Sequence, residues 1–164
     1  MLEPQRPFMP GYGVRPASEG TGLLPWSWVV DRLTASHDYW LATVRPEGRP
    51  HLMPVWGIWL DGALWFSCSN GSRKTRNLVS DGHCSVATDD ADQPVVIEGT
   101  AEVVVDEADL RRVLEAENAK YGTAYGPEML DPSANTCFKL RPAWVFALDA
   151  ADFTGSPTRY TPGN

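Results

Sequence analysis

Apolar and polar positions alternate in short runs along most of this chain, and Pro, Gly and Asp separate the runs. Residues 39–45 form the first strand-like run, rich in aromatic and β-branched side chains. Pro46-Glu47-Gly48 makes a tight turn, and residues 50–60 read as a second strand. Asp61-Gly62 is the strongest hairpin signal, so residues 63–69 should pair back on the second strand. A fourth strand is expected at 83–88 and a long fifth at 94–105, with Gly99 marking a bulge or bend. Residues 136–141 and 143–149 supply the last two strands.

Three segments carry helical spacing instead. Residues 25–36 have Ser27 as a possible N-cap and a wide apolar face of Trp28, Val29, Val30 and Leu33. Residues 73–80 form a short helix capped by Ser72 and stopped by Asp81-Gly82. Residues 107–121 form the one long helix, capped by Asp106 and ended by Gly122. Its inward stripe is Leu110, Val113, Leu114 and Tyr121, and Glu107, Asp109, Glu115 and Glu117 read as a wet face. The Pro- and Gly-rich stretch 1–22 reads as an arm, 23–153 as one domain and 154–164 as a tail. Strands grouped first, with a long helix before the last pair, predict a mainly β fold: an antiparallel barrel of six to seven strands, one long helix and two short ones.

Composition narrows the function. At 164 residues the chain suits one domain with a real core. A net charge of −7 argues against a nucleic-acid partner, which needs a basic surface. No apolar run approaches the roughly 20 residues that span a bilayer. The first sixteen residues lack the basic-then-apolar pattern of a signal peptide, and a cytoplasmic location with reduced thiols is expected. Cys68, Cys84 and Cys137 are odd in number and widely spaced, and with the three His they show no ligand spacing, so no metal is expected.

The segment 66–78 carries the most chemistry. It is a strand that ends in Ser67, Cys68 and Ser69, then a Gly turn, then Arg73, Lys74 and Arg76 at a helix start. Cations there oppose the helix dipole, a cost of a few tenths of a kcal/mol or more each. An anion held at that helix start would offset it, with Ser67, Ser69, Ser72 and Thr75 as hydroxyl donors and Arg73 able to bond a phosphate bidentately. A solvated basic helix turn is the other reading of the same string.

The order of parts decides between them. A hairpin ATVRPEGRPH comes first, then PVWGIWLDGALWFSCS, then SRKTRNL, then VVIEGTAEVV. This set resembles the pyridoxamine 5′-phosphate oxidase-like superfamily of FMN-binding split barrels, including its flavin- and deazaflavin-dependent branch. The resemblance covers roughly residues 24–153. It implies an antiparallel split β-barrel that forms a homodimer with a cofactor, FMN or coenzyme F420, at the subunit interface. By that resemblance Arg73 and Lys74 bind the cofactor phosphate, and Ser67, Cys68 and Ser69 line the same site. Ser72 and Thr75 belong to the same turn, and Met53, Pro54, Val55 and Trp56 lie against the ring system. Thr158-Arg159-Tyr160 is similar to a tail element of relatives. The chain lacks the Arg/His substrate signature of authentic pyridoxamine phosphate oxidases and carries Met53 where they carry a basic cofactor ligand, which argues against oxidation of vitamin B6 itself.

The remaining polar and aromatic residues add less. Most of the seven Trp are expected in the core, Trp56 and Trp59 excepted. His51 is in phase with Met53 and Val55 and either points at the ligand or makes a structural hydrogen bond. His37 and His83 sit at element ends, and Cys68 reads as a wall residue. The expectation is an oxidoreductase transferring hydride to or from a small organic molecule. The alternative is a barrel that binds or senses a flavin or haem without turnover.

Overall fold

The computed structural model describes residues 2–162. Met1, Gly163 and Asn164, the outer ends of the predicted arm and tail, lie outside the described residues. The chain runs β1 (Leu2–Gln5), α1 (Trp26–Ala35), β2 (Asp38–Val44), β3 (Pro50–Trp56), β4 (Ile58–Leu60), β5 (Ala63–Ser69), α2 (Arg73–Ser80), β6 (His83–Thr88), β7 (Val95–Val104), α3 (Glu107–Tyr121), β8 (Asn135–Ala147) and β9 (Thr158–Pro162). All pairings are antiparallel, in the order β1-β9-β8-β7-β6-β2-β3, with β5 joining β8 and β4 joining β5. The sheet curls on itself but β3 does not pair with β5, so the barrel is split there. The mainly β, antiparallel split barrel with one long and two shorter helices is therefore the observed fold.

Strand number is where the structure differs from the sequence reading. Residues 50–60 are two strands, because the backbone of Gly57 leaves the ladder. Its N–H donates to Tyr121 Oη at 2.9 Å, and its carbonyl accepts from Lys120 Nζ at 2.9 Å. Conversely, residues 135–147 are one strand that runs through Pro142. Pro142 faces Gly99 where the register shifts, so its missing N–H falls at the predicted bulge. A Cβ on Gly99 would stand 2.4 Å from the Arg141 carbonyl, so only glycine fits. Both terminal segments also contribute a strand, β1 against β9. Arg6 laces the arm to the tail by donating to the carbonyls of Pro157 at 2.7 Å and Gly155 at 2.8 Å.

Local rules explain the rest. Asp61 and Gly62 both take positive φ, 52° and 70°, as the two-residue hairpin between β4 and β5 requires. Ser72 caps α2 and Asp106 caps α3, each accepting the N–H three residues on. Ser27 caps nothing; α1 starts one residue earlier, after Pro25, with no side-chain cap.

Two apolar clusters hold the barrel. In β5, Leu64, Phe66 and Cys68 enter the main core with Leu41, Val86, Ile97, Phe138 and Leu140. Ala63 and Trp65, on the opposite face, meet Val113 of α3 with Ile58, Leu130 and Cys137. That is why β5 is buried on both faces. Glu117, expected in water, lies one turn beyond Val113 and is only 7% exposed. Burial pushes its pKa up.

Candidate functional site

At one end of the barrel, α2 lies across the mouth formed by the end of β2, the start of β3 and the end of β5. Asn77 fastens it, its Nδ2 donating to Thr43 Oγ1 at 2.9 Å. Both residues are 1% exposed. Thr75 fastens the other side, donating through Oγ1 to the Ser69 carbonyl at 2.9 Å. Ser72 Oγ accepts from the Thr75 amide. The hydroxyls of Ser72 and Thr75 thus build the turn that presents Arg73 and Lys74. Ser69 and Arg73 are exposed and Lys74 half-buried. Neither Arg73 nor Lys74 forms an ion pair among the described residues.

Cys68 is 5% exposed and belongs to the main core. Burial pushes its thiol up to about 11, with Lys74 drawing it the other way. That makes it a wall and leaves no thiolate at neutral pH. Ser67 faces the other way, toward Cys137, with its buried Oγ lacking a hydrogen-bond partner.

The β2–β3 hairpin adds two residues that the sequence reading did not assign. Thr43 sits opposite His51 in the ladder, on the inner face. Nδ1 of His51 is buried and without a partner, so the ring makes no structural hydrogen bond through that atom. Burial pushes its pKa down, and Arg45, Lys74 and Arg73 push it further. These three cations therefore lie near enough to the ring to act on it. Arg45 is held only loosely, 3.9 Å from Glu47, with its buried Nε unpartnered. After these two nitrogens, the Asn77 Oδ1 is a third buried, unsatisfied polar atom, on the helix that carries Arg73 and Lys74. Buried polar groups are normally paired, by protein atoms or by ordered water. The period-2 phase of His51 and Met53 was the available signal; Arg45 needed the hairpin register.

The four β3 residues predicted to meet a ring do not share a face. Met53 and Val55 point inward with His51, Met53 remaining 43% exposed beside the split. Pro54 and Trp56 point outward. Trp56 lies flat on Tyr121, centroids 4.1 Å apart and planes 5° apart. Tyr121 Oη also donates to the His37 carbonyl at 2.7 Å. Lys120 donates to Tyr39 Oη at 2.9 Å and lies over that ring. Burial brings its pKa down to about 8.

The outer face of the sheet is apolar over five strands. Pro54, Trp40, Ala87, Val96 and Phe146 are successive neighbours across β3, β2, β6, β7 and β8. Trp40 is 45% and Leu52 56% exposed there, and Trp144 stacks on Phe146. Among the described residues no group of three His, Cys, Asp or Glu could hold a metal ion, and no helix is long and apolar enough to cross a membrane.

Comparison with known proteins agrees with this architecture. A conserved hypothetical protein, Rv2991 from Mycobacterium tuberculosis, is 27% identical over 79% of this chain and 87% of its own, with a TM-score of 0.68. An F420 reductase is 23% identical over 70% of this chain and 93% of its own, with a TM-score of 0.58. A haem binding protein from Mycobacterium smegmatis is 22% identical over 81% of this chain and 62% of its own, with a TM-score of 0.61. The last two likenesses are of fold alone. No curated protein matches the chain. The family model for pyridoxamine 5′-phosphate oxidase matches residues 29–149, from α1 to the end of β8, and the chain belongs to that family of split barrels.

Proposed function

We propose that this protein is an oxidoreductase that binds FMN or coenzyme F420, with the cofactor phosphate at Arg73 and Lys74. The observation that carries the reading is the mouth itself: two cations without ion-pair partners at the start of α2, beside buried polar atoms with no hydrogen bonds. A phosphate would satisfy both, through charge-assisted hydrogen bonds of about 1.5–3 kcal/mol each. Met53 and the free edge of β3 would lie along the ring system, and the Ser69 end of β5 would close the other side. When bound, such a cofactor supplies hydride transfer to or from a small organic substrate; the protein holds it, orients it and keeps water from it.

The apolar outer face supports a homodimer that brings the cofactor site to the subunit interface. A contiguous patch of this kind on a sheet normally meets a partner, and a second copy is the commonest one. The charge of −7 and the five-stranded face suit neither nucleic acid nor a bilayer as that partner.

A second reading is a barrel that binds a flavin or haem without turnover. The absence of a close acid–base pair beside the mouth, among the described residues, favours it. One experiment separates the readings. Cofactor-stripped protein is titrated with FMN and with F420, and any complex is then reduced and offered quinone-like and unsaturated acceptors. Binding with electron transfer supports the oxidoreductase, binding without it the storage barrel. Failure to bind either at micromolar concentration defeats the oxidoreductase and the flavin-binding barrel, and leaves a haem-binding one.

A further inference from the structure

We propose that His51 and Arg45 complete the anion site with Arg73 and Lys74, and that His51 takes up a proton as a phosphate dianion enters and donates to it through Nδ1–H. The proposal rests on the reading of this mouth as a phosphate site and adds what holds the phosphate's charge there.

Three observations converge. His51 stands at the start of β3 opposite Thr43, which is itself tied to Asn77 of α2, so the imidazole is held beside the helix that carries Arg73 and Lys74. Its buried Nδ1 has no partner, and the same is true of Arg45 Nε. A nitrogen kept dry and unpaired in a folded protein is normally one that a ligand or an ordered water will satisfy. The groups acting on the ring are all cationic: Arg45 from the turn after β2, and Lys74 and Arg73 from α2. Glu47, in the hairpin turn, stands 3.9 Å from Arg45, and the neutral Thr43 and Asn77 complete the surroundings.

The electrostatics follow with a definite sign. Burial and three neighbouring cations hold the empty imidazole below its ordinary pKa, so it is neutral at pH 7. A dianion placed among the same cations reverses the local potential and favours the imidazolium. Binding therefore takes a proton from solvent. Affinity for a dianionic phosphate ester should weaken as pH rises through the range in which the bound-state imidazolium loses its proton. A ligand without the phosphate should not feel His51.

The test is a side-chain ¹⁵N NMR titration of His51, assigned by loss of its signals in His51→Gln. It is run on cofactor-stripped protein alone, with FMN, with riboflavin and with inorganic phosphate. The expected result is a His51 midpoint that moves up with FMN and with phosphate but not with riboflavin. Between pH 6.5 and 8, where the phosphate is mostly dianionic because its second pKa is about 6, the FMN affinity of the wild type should fall several-fold. His51→Gln should flatten that fall. FMN binding with an unmoved His51 midpoint overturns the proposal while leaving the cofactor reading intact. A midpoint that moves with phosphate while FMN fails to bind supports the proposal and defeats FMN as the cofactor. A midpoint that moves with neither overturns the proposal.

Discussion

Asn77 Nδ2 donates to Thr43 Oγ1 over 2.9 Å, and this single buried bond joins the helix carrying the cations to the strand that leads into the His51 hairpin. Both partners are almost fully enclosed, so removing one leaves the other unsatisfied, at about 1–3 kcal/mol. Asn77→Ala should lower the unfolding free energy by that amount in urea denaturation. It should also weaken anion binding, because Arg73 and Lys74 lose their fixed base. Thr43→Val should do the same.

Glu117 gives a prediction of the opposite sign. The residue is 7% exposed, its carboxyl forms no hydrogen bond or ion pair among the described residues, and burial raises its pKa. The folded state thus binds a proton more readily than the unfolded state, and the buried charge destabilises the fold above the raised pKa. Glu117→Gln should raise the melting temperature at pH 7, by roughly 2–4 °C for each kcal/mol recovered. The gain should shrink as pH falls through the raised pKa and below 4.5, where the folded and unfolded carboxyls are both mostly protonated. Calorimetric scans at pH 7 and pH 4.5 check it.

The α3 clasp predicts the alkaline limb. Lys120 is brought down to about 8 from 10.5, so between those values the unfolded state holds more protons and stability rises with pH. Tyr121 is pushed up to about 12 and Tyr39 is also raised. Above pH 10 unfolding therefore releases tyrosyl protons, and stability falls. Above pH 9 unfolding also releases the thiol protons of Cys68, Cys84 and Cys137, which burial pushes up to about 11, 12 and 11, so melting temperature against pH should show a shallow maximum between 8 and 9. Lys120→Met should remove the rising side only.

The outer face predicts the assembly. A charge at its centre would have to be buried in a dimer and would be harmless on a monomer. Trp40→Glu, or Leu52→Glu, should halve the mass measured by light scattering in solution while leaving the circular dichroism of the barrel in place. A wild type that already runs as a monomer would contradict the homodimer.

What the sequence carried was local. Ser72, Asp106, Gly122 and Asp61-Gly62 each act on neighbours within a few residues, and each did what its chemistry requires. What it missed depends on distant partners. The break at Gly57 is made by Lys120 and Tyr121, over sixty residues away, and β1 finds β9 from the other end of the chain. Glu117 was misread although its spacing of four from Val113 put it on the buried stripe. In the site, the cations of α2 were legible from one short string. His51 was legible only as one of two alternatives, and Arg45 not at all, because their approach to α2 follows from the hairpin register and the Asn77–Thr43 bond.

The central claim is that the phosphate end of a flavin-type cofactor is held at the mouth under α2. It is tested most directly by the ratio of riboflavin to FMN dissociation constants in the wild type and in the double variant Arg73→Ala, Lys74→Ala, by fluorescence titration of the cofactor-stripped protein. The double variant should lower the wild-type preference for FMN by about 10²–10⁴-fold, the equivalent of two charged hydrogen bonds, and leave only what Arg45 and His51 supply. An equally strong preference for FMN in the double variant would place the phosphate elsewhere and contradict the account.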